Sequence, residues 1–253
     1  MTNNEHFKAP LGAPKTGMIL AAGRGTRMRP LSAITPKPLI PVAGQALIDR
    51  ALDKLRIAGV ERTIVNVHYL ADLVEVHAKR SAQCEIIISD ERDVLLETGG
   101  GITKALPSLG QDPFYLLNSD SFWMEGVANN LSLLSDHWDD DKMDALLLLA
   151  PTVSAIGYEG KGDFKMDKDG RLSRRDARTI SPFVYSGAAI LHPRLFKKAP
   201  DGAHSLNVQF DQAIKEERLF GLSMDGIWLH VGEPCAIDQA EKAIQNSTHM
   251  GLI

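Results

Sequence analysis

The sequence predicts an α/β fold: a single Rossmann-like domain built on a mostly parallel central sheet. Short apolar runs at 18–22, 63–67, 85–89 and 114–117 alternate with helix-period segments at 45–58 and 71–80. That βαβαβ order implies parallel strands, with ligands gathering at their carboxyl ends. The chain has 253 residues, 44% hydrophobic and 24% charged, enough to bury one large core. No apolar run approaches the ~20 residues needed to cross a bilayer. The net charge of −4 argues against a general nucleic-acid binder.

In chain order, residues 1–16 (MTNNEHFKAPLGAPKT) carry two prolines and no hydrophobic centre, which predicts a flexible extension, a domain over 17–253 and a cytoplasmic protein. The strand at 18–22 runs into Gly23, Arg24 and Gly25, where small residues let backbone amides approach an anion. Thr26, Arg27, Arg29 and Lys37 add a hydroxyl and fixed positive charge, as a polyphosphate requires. The bland alternative is a strand, a glycine turn and a solvated basic loop. A Walker loop is excluded by the glycine spacing, and a dinucleotide fingerprint by Met28 where a third glycine belongs. Pro36, Pro38 and Pro41 are expected to keep the backbone extended around Lys37. From Gln45 the pattern turns helical, with Leu47, Ile48, Ala51, Leu52 and Leu55 on one face and Gly59 as the stop.

Gly99, Gly100 and Gly101 are expected to open a short helix that Pro107 closes. Three consecutive glycines suggest either close backbone approach to a flat ligand or an ordinary turn. The strand at 114–117 runs into Asn118, Ser119 and Asp120, a carboxylate placed either to hold Mg²⁺ or to cap the next turn. Residues 127–138 read as a helix, and Asp136, Asp139, Asp140, Asp141 and Asp144 as a solvated acidic surface before a strand at 144–150. Residues 164–166 and 171–173 can pair across the DKDG turn, with a further strand at 183–191. A helix at 207–218, strands at 219–222 and 227–231 and a closing helix at 235–244 complete the reading. Cys84 and Cys235 lack metal-ligand spacing and read as reduced, buried thiols.

The run LAAGRGTRMRPLSAITPKPLIPVAG closely resembles the signature of the sugar-1-phosphate nucleotidyltransferases. The resemblance implies a glycosyltransferase-A-like nucleotidyltransferase fold, with a nucleotide-binding half over about 17–150 and a sugar-binding half over about 151–253. It also implies transfer of a nucleoside monophosphate from a nucleoside triphosphate to a sugar 1-phosphate, with release of pyrophosphate and use of Mg²⁺ or Mn²⁺. Carried over onto matching positions, it gives Arg27 the departing β- and γ-phosphates, Lys37 the sugar phosphate and α-phosphoryl oxygens, and Asp120 the metal. The nucleotide would lie on Leu20, Ala21, Ala22, Gly23, Arg24, Gly25, Thr26, Thr98, Gly99 and Asn118, with Glu91 or Glu97 reading the base. The sugar would face Gly162, Asp163, Phe164, Ser186 and Gly187. One position departs from the pattern: WLHVGEP has His230 where many relatives carry a second metal-binding aspartate. Imidazole suits Mn²⁺, Zn²⁺ or a phosphate hydrogen bond better than Mg²⁺. Water-mediated contact, a ligand supplied elsewhere and lost activity are the three readings, the first favoured. The segment LETGGGI-x-KALP and the short chain resemble the branch that joins UTP to N-acetylmuramate 1-phosphate in peptidoglycan recycling. The alternatives are a mannose-1-phosphate guanylyltransferase and a nucleotide-sugar-binding regulator that has lost catalysis.

Overall fold

The computed structural model describes residues 12–249. The chain runs through β1 (Thr16–Leu20), β2 (Pro41–Val42), β3 (Gln45–Ala46), α1 (Leu47–Ile57), β4 (Arg62–Val67), α2 (Ala71–Ser81) and β5 (Glu85–Asp90). It continues with α3 (Glu97–Leu109), β6 (Phe114–Asn118), β7 (Ser121–Glu125), α4 (Asn130–His137), β8 (Ala145–Pro151), β9 (Phe164–Met166), β10 (Leu172–Arg174) and β11 (Phe183–Leu191). The last elements are α5 (Asn207–Lys215), β12 (Leu219–Ser223), β13 (Gly226–His230) and α6 (Cys235–His249). Among the described residues no helix is long and apolar enough to cross a membrane.

Strands β5, β4, β1 and β6 are parallel neighbours in that order. β11 then joins antiparallel to β6, β8 antiparallel to β11, and β12 parallel to β8. One sheet therefore runs through both halves of the chain. Consecutive residues of its central strands serve opposite faces, as strand geometry requires. Ile19, Val65 and Leu117 pack with α1 and α2 on one face, and Met18, Ile64 and Leu116 with α3 on the other. A strand buried on both sides reads as a continuous apolar run, and 18–22 was legible for that reason. The register sets Leu20 beside Asn118, so the chain leaving β1 and the chain leaving β6 emerge together.

Several boundaries differ from expectation. Residues 1–11 of the expected extension lie outside the described residues, but Ala13 and Pro14 are buried and Thr16 already belongs to β1. The Lys15 carbonyl accepts from the Glu61 and Arg62 amides, which ties this stretch to the sheet before residue 17. Gln45 belongs to a small hairpin with β2, and the helix starts at Leu47. Lys37–Leu39 is a single 3-10 turn, because a proline's fixed φ suits a first helical turn as well as an extended chain. The acidic surface is only partly solvated. Asp144 is buried, and its Oδ1 accepts from Arg194 Nε at 2.6 Å and Arg218 Nε at 2.8 Å. Cys84 is half-buried near Thr63 and Cys235 is exposed; both are free thiols. Strand β7 was not expected. It pairs antiparallel with β13, and that register sets His230 opposite Ser121, next to Asp120.

Candidate active site

The loop after β1 is shaped by glycine before it is charged. Gly25 sits at φ +58°, in left-handed backbone, and a Cβ there would lie 3.0 Å from Lys37 Cβ. Its carbonyl accepts from Ser32 Oγ at 2.7 Å, folding the loop back on itself. Lys37 is thereby held between the buried Pro36 and Pro38 with only 9% of its surface exposed. Its Nζ lies 3.0 Å from Asp120 Oδ2, the carboxylate just past β6. Burial pushes the Asp120 carboxyl up, but Lys37, and then His230 and Arg27, outweigh it and hold the group below the usual carboxylate range.

Lys37 and Asp120 line a cleft of about 420 Å³ at the carboxyl ends of β1 and β6. Leu20, Ala21, Ala22 and Gly23 form one stretch of its wall, and Lys37, Asn118, Asp120, Leu95, Glu97, Thr98 and Ser205 also line it. Ser119 Oγ donates to the Leu20 carbonyl at 2.7 Å, joining the two strand ends. Arg24, Gly25, Thr26 and Arg27 lie beyond this wall, and Arg24, Thr26 and Arg27 are solvent-exposed.

The three glycines do a different job from the one expected. All three are buried inside α3, which opens at Glu97 and continues through Pro107 to Leu109. A Cβ at Gly99 would stand 2.5 Å from the His204 ring, one at Gly100 2.4 Å from the Gly202 carbonyl, and one at Gly101 2.7 Å from Glu91 Oε1. Protein, not a flat ligand, occupies the space that the missing side chains leave. The Gly99 and Gly100 amides both donate to the His204 carbonyl, and the Leu206 amide donates to Thr98 Oγ1 at 2.8 Å. That docking brings Ser205, from the second half of the chain, to the cleft. Nothing in the local sequence marked Ser205.

The two glutamates separate cleanly. Glu97 is exposed on the cleft, whereas Glu91 is 1% exposed, with both carboxylate oxygens already accepting hydrogen bonds beneath it. Glu91 is therefore not placed to read a base. Asn66, which the sequence did not single out, lines the cleft and accepts from the Ala21 amide at 2.7 Å.

On the expected sugar side, several polar groups are spent internally. Ser186 Oγ donates to the Leu148 carbonyl at 2.8 Å, so its hydroxyl faces the core. Asp163 Oδ2 accepts from the Tyr185 amide, and the Gly162 amide donates to Tyr158 Oη. Phe164 is a core residue, and Gly187 packs against Asn118 and Ser121. None of these positions lines the cleft. Arg27 lies with Tyr158, Glu233 and His230 around a second pocket of about 220 Å³, whose charges still act on Asp120. The His230 ring stacks on Trp228 at 5.5 Å, and its Nδ1 lies 3.3 Å from the Gly157 carbonyl. Among the described residues no three acidic, histidine or cysteine side chains converge as a metal cage. One partly exposed carboxylate in a cleft suits a hard cation whose remaining ligands are substrate phosphate oxygens and water.

A family model described as nucleotidyl transferase matches residues 16–174. The N-acetylmuramate alpha-1-phosphate uridylyltransferase of Caulobacter vibrioides is 44% identical over 233 residues, covering 90% of this chain and 96% of the relative. Its namesake in Neisseria meningitidis serogroup B is 33% identical over 230 residues, covering 88% and 96%. The mannose-1-phosphate guanylyltransferase catalytic subunit beta of Drosophila melanogaster is 24% identical, covering 88% of this chain and 61% of that protein. Among solved structures, the inositol-1-phosphate CTP transferase of T. maritima superposes with a TM-score of 0.72 at 18% identity, covering 91% and 96% of the two chains.

Proposed function

The chain belongs to the nucleotidyl transferase family, and from that premise we propose that it joins UTP to N-acetylmuramate 1-phosphate, releasing pyrophosphate and yielding UDP-N-acetylmuramate. The base and sugar follow the two relatives of more than 30% identity, both named as uridylyltransferases of that sugar phosphate. Mannose 1-phosphate with GTP is the weaker reading, because the guanylyltransferase relative is more distant. The observation that carries catalysis is the Lys37–Asp120 pair at 3.0 Å in the cleft where β1 and β6 end. It also favours an active enzyme over a regulator that has lost catalysis. A cytoplasmic role in peptidoglycan recycling fits these substrates.

In this reading the sugar phosphate oxygen attacks the α-phosphorus, forming one P–O bond as the α–β bridge bond breaks and pyrophosphate leaves. A phosphate monoester with a second pKa of about 6 is already ionised at neutral pH, so no general base is needed. The obstacle is repulsion between two polyanions, and positioned charge removes it. Lys37 neutralises the α-phosphoryl and sugar-phosphate oxygens, and Arg27 reaches the departing pyrophosphate. The amides of Ala22 to Gly25 cradle the triphosphate, Glu97 and Thr98 border the base, and the wall around Gly162 and Gly187 borders the sugar. Asp120 would hold a divalent cation, Mg²⁺ or Mn²⁺, which when bound supplies further neutralisation of phosphate oxygens.

Pyrophosphate release, measured with four nucleoside triphosphates against N-acetylmuramate, mannose and glucose 1-phosphates, tests the proposal. UTP with N-acetylmuramate 1-phosphate is expected to be fastest. Preference for GTP with mannose 1-phosphate would move the chain to the other branch, and no release with any pair would end the catalytic reading.

A further inference from the structure

We propose that Glu91 is a positioning residue for the nucleotide pocket: through Asn66 it fixes the Ala21 amide, and through the Leu96 amide it fixes a second stretch of the lining, Leu95–Glu97. The role rests on the nucleotide-binding reading of the cleft and explains how that pocket keeps its shape. Glu91 Oε1 accepts from Asn66 Nδ2 at 2.7 Å, and Asn66 Oδ1 in turn accepts from the Ala21 amide at 2.7 Å. Glu91 Oε2 accepts from the Leu96 amide at 3.0 Å, between the cleft residues Leu95 and Glu97. The backbone of Glu91 is itself fixed, its amide donating to Val67 at 2.8 Å and its carbonyl meeting His68 Nδ1 at 2.7 Å. Gly101 of α3 closes over the pair, since a Cβ there would stand 2.7 Å from Glu91 Oε1 and 2.9 Å from Asn66 Nδ2. One buried side chain thus joins two separate stretches of the lining without itself lining the cleft.

The chemistry requires a carboxylate there. Both partners of Glu91 are donors, so the group between them must accept twice. An amide at position 91 accepts once and turns its NH₂ toward another donor, leaving a buried donor unpaired. The chain of bonds can be rebuilt by moving the charge one side chain over. In the double variant Asn66→Asp/Glu91→Gln, one carboxylate oxygen at position 66 accepts from Ala21 and the other from the position-91 amide. The oxygen of that amide then accepts from Leu96. Each single variant breaks the sequence of donors and acceptors; the double variant restores it with the same shape and the same net charge as the native pair.

The test is calorimetric titration of UTP into the full chain with Mg²⁺, together with KM for UTP and for the sugar phosphate. Glu91→Gln and Asn66→Asp are each expected to weaken UTP about tenfold or more, as loss of a buried hydrogen bond does. KM for the sugar phosphate stays unchanged, and the double variant recovers UTP affinity to within about threefold of the native chain. Native affinity in Glu91→Gln, or a double variant no better than the weaker single, overturns the role. So does an equal rise in both KM values, which marks general loosening. If Glu91→Gln does not fold, Gly101→Ala crowds the same pair without removing a donor or acceptor. It should weaken UTP several-fold, and unchanged affinity there also overturns the role. A native chain that binds none of the four triphosphates defeats the functional reading first, and this one with it.

Discussion

Replacing Asp120 by Asn removes one charge at constant shape and probes the centre of the cleft most directly. The ion pair it breaks joins a Lys37 side chain that is 11% exposed to an Asp120 side chain that is 31% exposed. A charge-assisted hydrogen bond contributes about 1.5–3 kcal/mol and a neutral one about 0.5–1.5 kcal/mol, and Lys37 can still donate to an amide oxygen. Partial exposure of the carboxylate places the net loss near the lower end, about 1 kcal/mol. For a chain of this length that corresponds to roughly 2–4 °C in the thermal midpoint. Lys37→Met leaves the more exposed partner behind, still beside His230 and Arg27, so its midpoint should fall by the same amount or less.

The pH dependence has a definite sign. A carboxylate held below its unfolded value of about 3.9 contributes stability above that pH and loses it as pH falls through the folded value. The native chain and Asp120→Asn should therefore differ above about pH 5 and converge as pH falls below about 4. Calorimetry without added metal reads this, and a pyrophosphate assay with Mg²⁺ reads turnover, which should fall by about two orders of magnitude or more, as when a charge-stabilising group is lost. Turnover within tenfold of native, or a difference in midpoint that grows as pH falls below about 4, would refute the reasoning.

Three further substitutions follow from the same geometry. Lys37→Ala should lose turnover to a similar extent while circular dichroism stays native, and a near-normal rate would contradict its place at the reacting phosphates. His230→Asp puts an oxygen donor opposite Ser121, beside Asp120, and should keep or raise Mg²⁺-supported activity in the pyrophosphate assay; a collapse would show that the imidazole has a job of its own. Gly99→Ala drives a methyl to 2.5 Å from the His204 ring, and overpacking of that kind costs about 1–3 kcal/mol, less up to about 1 kcal/mol of helix propensity. Its thermal midpoint should fall by a few degrees, and His204→Ala in the same chain should recover part of the loss.

What could be read from the sequence was whatever lies on a continuous stretch with a short repeat. The strands buried on both faces and the helices α1 and α2 have that property, whereas Lys37 and Asp120 were legible through the motif around Gly23 and its family resemblance. Strand β7 escaped because Ser121–Glu125 follows a functional turn without a break and finds its partner about a hundred residues later, in β13. The triple glycine was visible, but its reason was not. A missing Cβ records that something comes close, and only the fold shows that the neighbour is His204, Gly202 or Glu91.

The same limit explains why the Glu91 link left no trace in the chain's pattern. Asn66 lies 45 residues from Ala21, and Glu91 a further 25 along. Neither side chain belongs to an alternation or a heptad, and the stretch DERDVLLE put Glu91 forward only as a reader of the base, not as a link between strand ends. Its burial follows from topology: β1, β4 and β5 are adjacent and parallel, so the residues leaving their carboxyl ends meet at one edge of the cleft. A parallel sheet exposes unpaired backbone groups at that edge, and the Ala21 amide is one of them. Buried polar groups must be satisfied, so some neighbouring strand end has to supply acceptors. Asn66 supplies the first and Glu91 completes it. A carboxylate placed between two donors can therefore be structural in its bonding and functional in its consequence, since the residue whose amide it fixes through Asn66 lines the cleft.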